Sequence, residues 1–251
     1  MTSVDDELFV LLAQDSNQVA VYSINDYQLL RHLHLPGLKK DCTNDMTSCV
    51  RHKCLYVFDF NDKCIHRYDL ARRSITSKWT VGARPLGLSV TPGGNLLVTC
   101  HCPNTLLKLS ADNVREIALQ SDIECLSHGV QLTTDQYVVC HGGLWDNLPR
   151  VCIVDGDGRV TRSYGGQRGS DVGQLDWPRH MAVDEDSQFI YVADCDNNRV
   201  VLLSSTLEFV RYVSEELSWP RRLHLNHTTR RLYVAQGNAV CVIYDMFTHE
   251  S

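Results

Sequence analysis

Two short runs hold the residue types best able to do chemistry: Trp177-Pro178-Arg179-His180 and Trp219-Pro220-Arg221-Arg222. Guanidinium groups fork onto carboxylate or phosphate oxygens, and an exposed indole offers a stacking face. Arg84-Pro85 and Ser127-His128 occupy comparable places. The spacing reads Arg179, Arg221 and His128 as sharing one repeat position, with Arg84 and Lys39-Lys40 close by in register. Trp145 lies in an insertion, His141 to Pro149. The candidate partner-binding residues are therefore Arg84, His128, Trp145, Trp177, Arg179, His180, Trp219, Arg221 and Arg222. The competing chemistry is metal binding. Asp45, His128, His180 and His224 would hold a metal only if they pointed inward at one depth, which spacing does not establish. No acid pair, and no nucleophile beside a base, recurs at a fixed spacing. Catalytic residues, a bound metal and a cofactor are not expected.

The elements that must position these residues follow a repeat. The pairs Val10-Leu11, Tyr56-Val57, Leu97-Val98, Tyr137-Val138, Tyr191-Val192 and Tyr233-Val234 are spaced by 46, 41, 40, 54 and 42 residues. Seven positions after an anchor stands Asn17, Asn104 or Asn198, with Lys63 in that place in the second unit. Asn tolerates left-handed turns, so these runs connect antiparallel strands. The fifth unit offers four strands, Met181-Val183, Phe189-Ala193, Arg199-Leu203 and Phe209-Val213. Sustained helical periodicity is missing. A four-stranded sheet repeated six times buries its faces only when the copies pack radially. The expected fold is all-β: one domain, 1–251, forming a six-bladed β-propeller of four-stranded antiparallel blades. The first unit lacks an obvious innermost strand and the sixth an outermost one. Either the terminal blades are three-stranded, or Met1 to Asp5 and Phe247 to Ser251 patch them.

That arrangement weakens a zinc reading of Cys100-His101-Cys102 and Cys140-His141, which sit at equivalent places on adjacent blades. Packed sheets stand about 10 Å apart, whereas zinc bonds need roughly 2.0–2.3 Å. The chain carries a formal charge of -6 and eleven cysteines, an odd number. Its balance announces neither DNA nor an anionic membrane as partner. Its N-terminal residues lack signal-peptide features, and the simplest expectation is a reduced, cytoplasmic protein with buried thiols.

The phrase Gly173-Gln174-Leu175-Asp176-Trp177-Pro178, followed by Ala182-Val183-Asp184, Tyr191-Val192-Ala193-Asp194 and Asn198-Arg199-Val200, closely resembles an NHL repeat. As a whole the chain resembles the C-terminal NHL propeller of tripartite-motif proteins, typically RING, B-box and coiled-coil ubiquitin ligases. The resemblance implies a non-catalytic recognition scaffold for a protein partner, with RNA as a second ligand class seen in some relatives. It also implies that Asp194 and Arg199 clamp a hairpin; Asp59 keeps the acid, while Cys64 replaces the base. The alternative is a metal-dependent lactonase- or lyase-like propeller enzyme with a central-channel site.

Overall fold

The computed structural model describes residues 1–251 apart from 12–17, 37, 39–44, 83, 102, 111–113, 134, 144–147, 237–239 and 246–251, with 240–245 described as backbone. Twenty-three strands make up its regular structure among the described residues. The first sheet holds β1 (Thr2–Val4), β2 (Glu7–Leu11), β3 (Gln18–Ser23) and β4 (Leu29–His34). The second holds β5 (Met46–Cys49), β6 (Cys54–Asp59), β7 (Cys64–Asp69) and β8 (Ser74–Thr80). Next come β9 (Arg84–Val90), β10 (Leu96–His101), β11 (Thr105–Leu109) and β12 (Val114–Ala118). The fourth comprises β13 (His128–Thr133), β14 (Gln136–His141), β15 (Arg150–Asp155) and β16 (Val160–Gly165). The fifth comprises β17 (Pro178–Val183), β18 (Ile190–Asp194), β19 (Arg199–Leu203) and β20 (Phe209–Ser214). The last sheet has three strands, β21 (Pro220–Asn226), β22 (Arg231–Gln236) and β23 (Val240–Asp245).

Every sheet is an antiparallel meander, and the first strands β1, β5, β9, β13, β17 and β21 touch in that order, with β21 returning to β1. The fold is a β-propeller of four-stranded antiparallel blades, with one three-stranded sheet. Hydrophobic clusters lie between successive sheets. One joins Val138 and Ile153 to Met181 and Val192, and another joins Tyr191 and Val200 to Leu223 and Val234. The ring closes through Met1, Leu8, Val10 and Ile24 packed on Tyr233. Closure thus uses the N-terminal residues: β1 pairs Thr2 with Phe9 and supplies the inner strand that the first unit seemed to lack. The suggested patch at Phe247 to Ser251 lies outside the described residues.

The repeat dictates this packing through its period of two. In β18 and β19 all ten residues from the two strands are buried, because both faces of a middle strand meet a neighbouring blade. The outer strands β4, β12 and β20 are instead mostly exposed or half-buried. The expected tight turns form as read at Lys63 (φ 48°) and Asn198 (φ 55°), both left-handed. Asn104 works through its side chain, donating from Nδ2 to the Ile123 carbonyl at 2.9 Å.

Candidate functional site

Antiparallel meanders place the loops between blades on the same face as the loops joining second to third strands. Prolines shape this face. Pro85, Pro178 and Pro220 each precede a β-bulge, between Pro85 and Gly87, Pro178 and His180, and Pro220 and Arg222. A residue without an N–H is tolerated in a sheet at a strand start or a bulge, and the bulge re-aims the extra side chain. The extra residues are Leu86, Arg179 and Arg221. Arg179 stacks over the Trp177 ring with its Cζ 4.6 Å from the centroid, and Arg221 over Trp219 at 5.5 Å. Both tryptophans have left-handed backbones, φ 56° and 53°, and so does Cys125 at φ 51°. Trp219 is 49% exposed, and Arg84 is exposed as well. Trp145 lies outside the described residues, as do Lys39, Lys40 and Cys102.

His128 does not share the position of Arg179 and Arg221. β13 has no bulge there: His128 to Gln131 pair continuously with Cys140 to Tyr137. Its side chain turns into the channel, where its ring stacks on His180 with centroids 3.7 Å apart. Both histidines are buried, so neither stands on the open rim that the spacing assigned to them. Arg222 leaves the rim too, its Nε donating to Asp45 Oδ1 at 2.8 Å. One hydrogen bond repeats between neighbouring blades. Asp45 Oδ2 accepts from Leu88 N at 3.0 Å, His128 Nδ1 from Met181 N at 3.4 Å, and His180 Nδ1 from Leu223 N at 3.3 Å. Gly87 makes room for this layer, since a Cβ there would lie 2.8 Å from His128 Cδ2.

Asp45, His128 and His180 bring potential metal-ligand atoms within 4.8 Å of one another. Their hydrogen bonds define the protonation. Because each Nδ1 accepts a backbone N–H, the neutral rings carry their proton on Nε2, and that of His128 faces the Leu88 carbonyl at 3.3 Å. A metal would need the Nε2 lone pair that this tautomer lacks, and Arg222 already neutralises Asp45. Burial pushes His128 down to about 4, and burial with the adjacent His128 holds His180 well below the usual imidazole range. Burial alone would raise the Asp45 carboxyl, but Arg222 above all keeps it below its ordinary value. As hydrogen-bonded here, the donor set forms a charge-balanced plug, and a metal would have to displace the Nε2 protons. His224 stands apart, its Nε2 2.6 Å from Ser3 Oγ.

Asp194 and Arg199 join as the resemblance implied. Arg199 donates from Nε to Asp194 Oδ2 at 2.8 Å, from Nη2 to the Gln174 carbonyl at 3.0 Å, and from Nη1 to the Ser170 carbonyl. Asp194 Oδ1 accepts from Asp176 N at 2.7 Å, which ties the hairpin to the loop leading into Trp177. Burial still raises the Asp194 carboxyl despite Asn197, the Asp176 N–H and Arg199. The eight described cysteines carry thiols, not disulfides. Burial pushes the Cys100 and Cys140 thiols up to about 12, so neither offers a thiolate at neutral pH.

The channel layer separates two cavities. On the face opposite the rim, a space of about 660 Å³ is floored by His128 and His180 and walled by Thr47, Ser89, Gln131 and His224. On the rim side, about 320 Å³ is lined by Trp177, Arg179 and Arg222. Ser127, which the spacing placed on this face, contributes there with His101, weighed above only as a zinc ligand, and with Leu86, Cys125 and Leu126, which sequence reading missed. Pro85-Leu86 carried the one available signal, being a copy of Pro178-Arg179 with an apolar residue at the bulge. Acids temper the basic face: Arg168 Nε lies 3.5 Å from Asp176 Oδ1, and Asp196, raised by burial, interacts with Arg179 and Arg221.

This architecture belongs to the β-propellers, and solved structures agree. The chain is similar to hydrazine synthase from Kuenenia stuttgartiensis, with a TM-score of 0.67, 15% identity, and coverage of 98% of this chain and 94% of that one. It is likewise similar to virginiamycin B lyase from Staphylococcus aureus, with a TM-score of 0.63 and 12% identity over 98% of this chain and 83% of that one. At these identities the likeness is one of fold. No family model and no curated protein matches the chain. Among the described residues no helix is long and apolar enough to cross a membrane.

Proposed function

We propose that this propeller, read as six-bladed and of NHL type, is a non-catalytic recognition platform that binds a protein partner on the rim face. The carrying observation is the twofold Trp–Arg stack, Trp177 with Arg179 and Trp219 with Arg221, built at equivalent positions of neighbouring blades. Each stack needs a tryptophan in a left-handed backbone, a conformation costing on the order of 1–3 kcal/mol that persists only where its surroundings over-determine it. An exposed aromatic beside a guanidinium is the composition of interface anchors. By the resemblance of its repeat, the propeller would select substrates for a tripartite-motif-like ubiquitin ligase. Its thiols suit a reducing compartment, and we assign it to the cytoplasm. RNA is the lesser ligand, because Asp176 and Asp196 offset the arginines and phosphate neutralisation supplies much of RNA affinity.

Quantitative affinity capture with the whole chain as bait tests this reading. Trp219→Ala/Arg221→Ala should lose the partners that wild type and the opposite-face variant Arg51→Ala retain. An unchanged partner set overturns it. The channel cluster of Asp45, His128 and His180 favours a second reading, a metal-dependent hydrolase or lyase. Stoichiometric zinc or calcium in the pure protein, lost in His180→Ala, would put that reading first.

A further inference from the structure

Among the described residues the rim-side cavity is lined by donors and apolar groups and by no carboxylate. Arg222 is only 16% exposed, and its Nε and Nη1 are taken by Asp45 and by the Arg221 carbonyl. Its Nη2 has no hydrogen-bond partner among the described residues. The Trp177 indole N–H also has none, and it lies beside Gly143 at the cavity wall. Arg179 adds a second guanidinium, stacked on Trp177. The remaining lining includes the apolar Leu86 and Leu126. Donors therefore converge on a space of about 320 Å³ that also has a hydrocarbon wall.

We infer that this cavity receives a single carboxylate, the side chain of a glutamate in an acidic segment of a partner protein. The planar carboxylate matches a guanidinium fork, and the glutamate stem has Leu86, Leu126 and the Trp177 ring to cover it. A polyanion is disfavoured. Arg222 spends its charge on Asp45, and Asp176 and Asp196 stand beside the other arginines, so the net positive charge suits one acid rather than a phosphate chain. The inference rests on the recognition role proposed for this face.

Fluorescence anisotropy with the full chain provides the test, using three labelled probes: a Gly-Ser decapeptide with two central glutamates, its glutamine counterpart, and decauridine. The glutamate peptide should bind about tenfold more tightly than the glutamine peptide at physiological salt, with the shallow salt dependence of one or two neutralised charges. Arg179→Gln should abolish that preference without changing Tm. Arg222→Lys, which keeps a charge on Asp45, should weaken it by removing the open Nη2 donor. Equal affinity for both peptides, each weakened by Arg179→Gln, would leave the face as a binding surface and overturn the carboxylate. Decauridine bound more tightly than the glutamate peptide, and lost in Arg179→Gln, would reassign the cavity to phosphate and overturn the proposal. Absence of binding by both peptides at about 1 mM, a limit near −4 kcal/mol, would overturn it too, while the rim's recognition role would still stand or fall on the capture experiment.

Discussion

Arg221 and Arg222 are neighbours in sequence and opposites in structure. Arg221 is the extra residue of a bulge and lies over Trp219 at the rim, whereas Arg222 points into the channel and holds Asp45. The rim sets half-buried arginines against tryptophan rings, with acids nearby. The channel layer holds one buried carboxylate and two buried neutral imidazoles, each accepting from the next blade, and a half-buried guanidinium that reaches Asp45. Charges of one chemical type thus do two jobs. At the rim they lie over tryptophan rings beside a shared cavity; in the channel they are committed to each other and to the ring.

The comparison breaks most sharply at Asp45. Asp45→Ala would strand a buried guanidinium and the Leu88 N–H, and it should cost about 3–5 kcal/mol in urea unfolding. A loss below about 1 kcal/mol, the level of an exposed ion pair, would show that the layer is not a committed network.

Acid should separate the regions next. His128 titrates near 6.5 in an unfolded chain and at about 4 when folded, so the unfolded state takes up protons first. Its contribution is whole above pH 6.5 and declines as pH falls toward 4, a change worth about 3 kcal/mol. Asp45, held low, contributes above its unfolded value and loses that contribution as pH falls through its folded one. Urea midpoints measured at pH 7 and pH 4.5 should differ, and His128→Gln should flatten the slope. Equal midpoints for wild type would contradict a buried neutral ring.

The smallest effect belongs to the rim. Trp219→Ala/Arg221→Ala should change stability by no more than about 0.5 kcal/mol per substitution, because Trp219 is half exposed and Arg221, among the described residues, is bound to no buried charge as Arg222 is to Asp45. A loss matching that of Asp45→Ala would make the Trp–Arg stack a structural brace, and the contrast between rim and channel would disappear.

Much of the architecture was legible beforehand. The Tyr-Val anchors located the second strand of each repeat, and Asn198 and Lys63 marked turns that do adopt left-handed backbones. The Asp194–Arg199 clamp could be anticipated from its motif. The grouping of His128 with Arg179 and Arg221 failed because counting from the anchor ignores bulges, which β17 and β21 have and the start of β13 does not. One extra residue in a strand reverses which way a side chain points. The inner strand β1 stood only as one of two alternatives, a patch by Met1 to Asp5, for a related reason. Three residues are too short to show a period, and they are recognised as a strand only through pairing with β2.

Residue order alone determined that this chain repeats a strand-turn-strand unit, because period-two burial and turn chemistry are local properties. Which of two adjacent arginines lies at the rim, and which histidines meet across the axis, was decided by the tertiary structure. Those outcomes depend on bulges and on contacts between blades some forty residues apart, such as His180 with Leu223. No local pattern encodes a distance that exists only once the ring has closed.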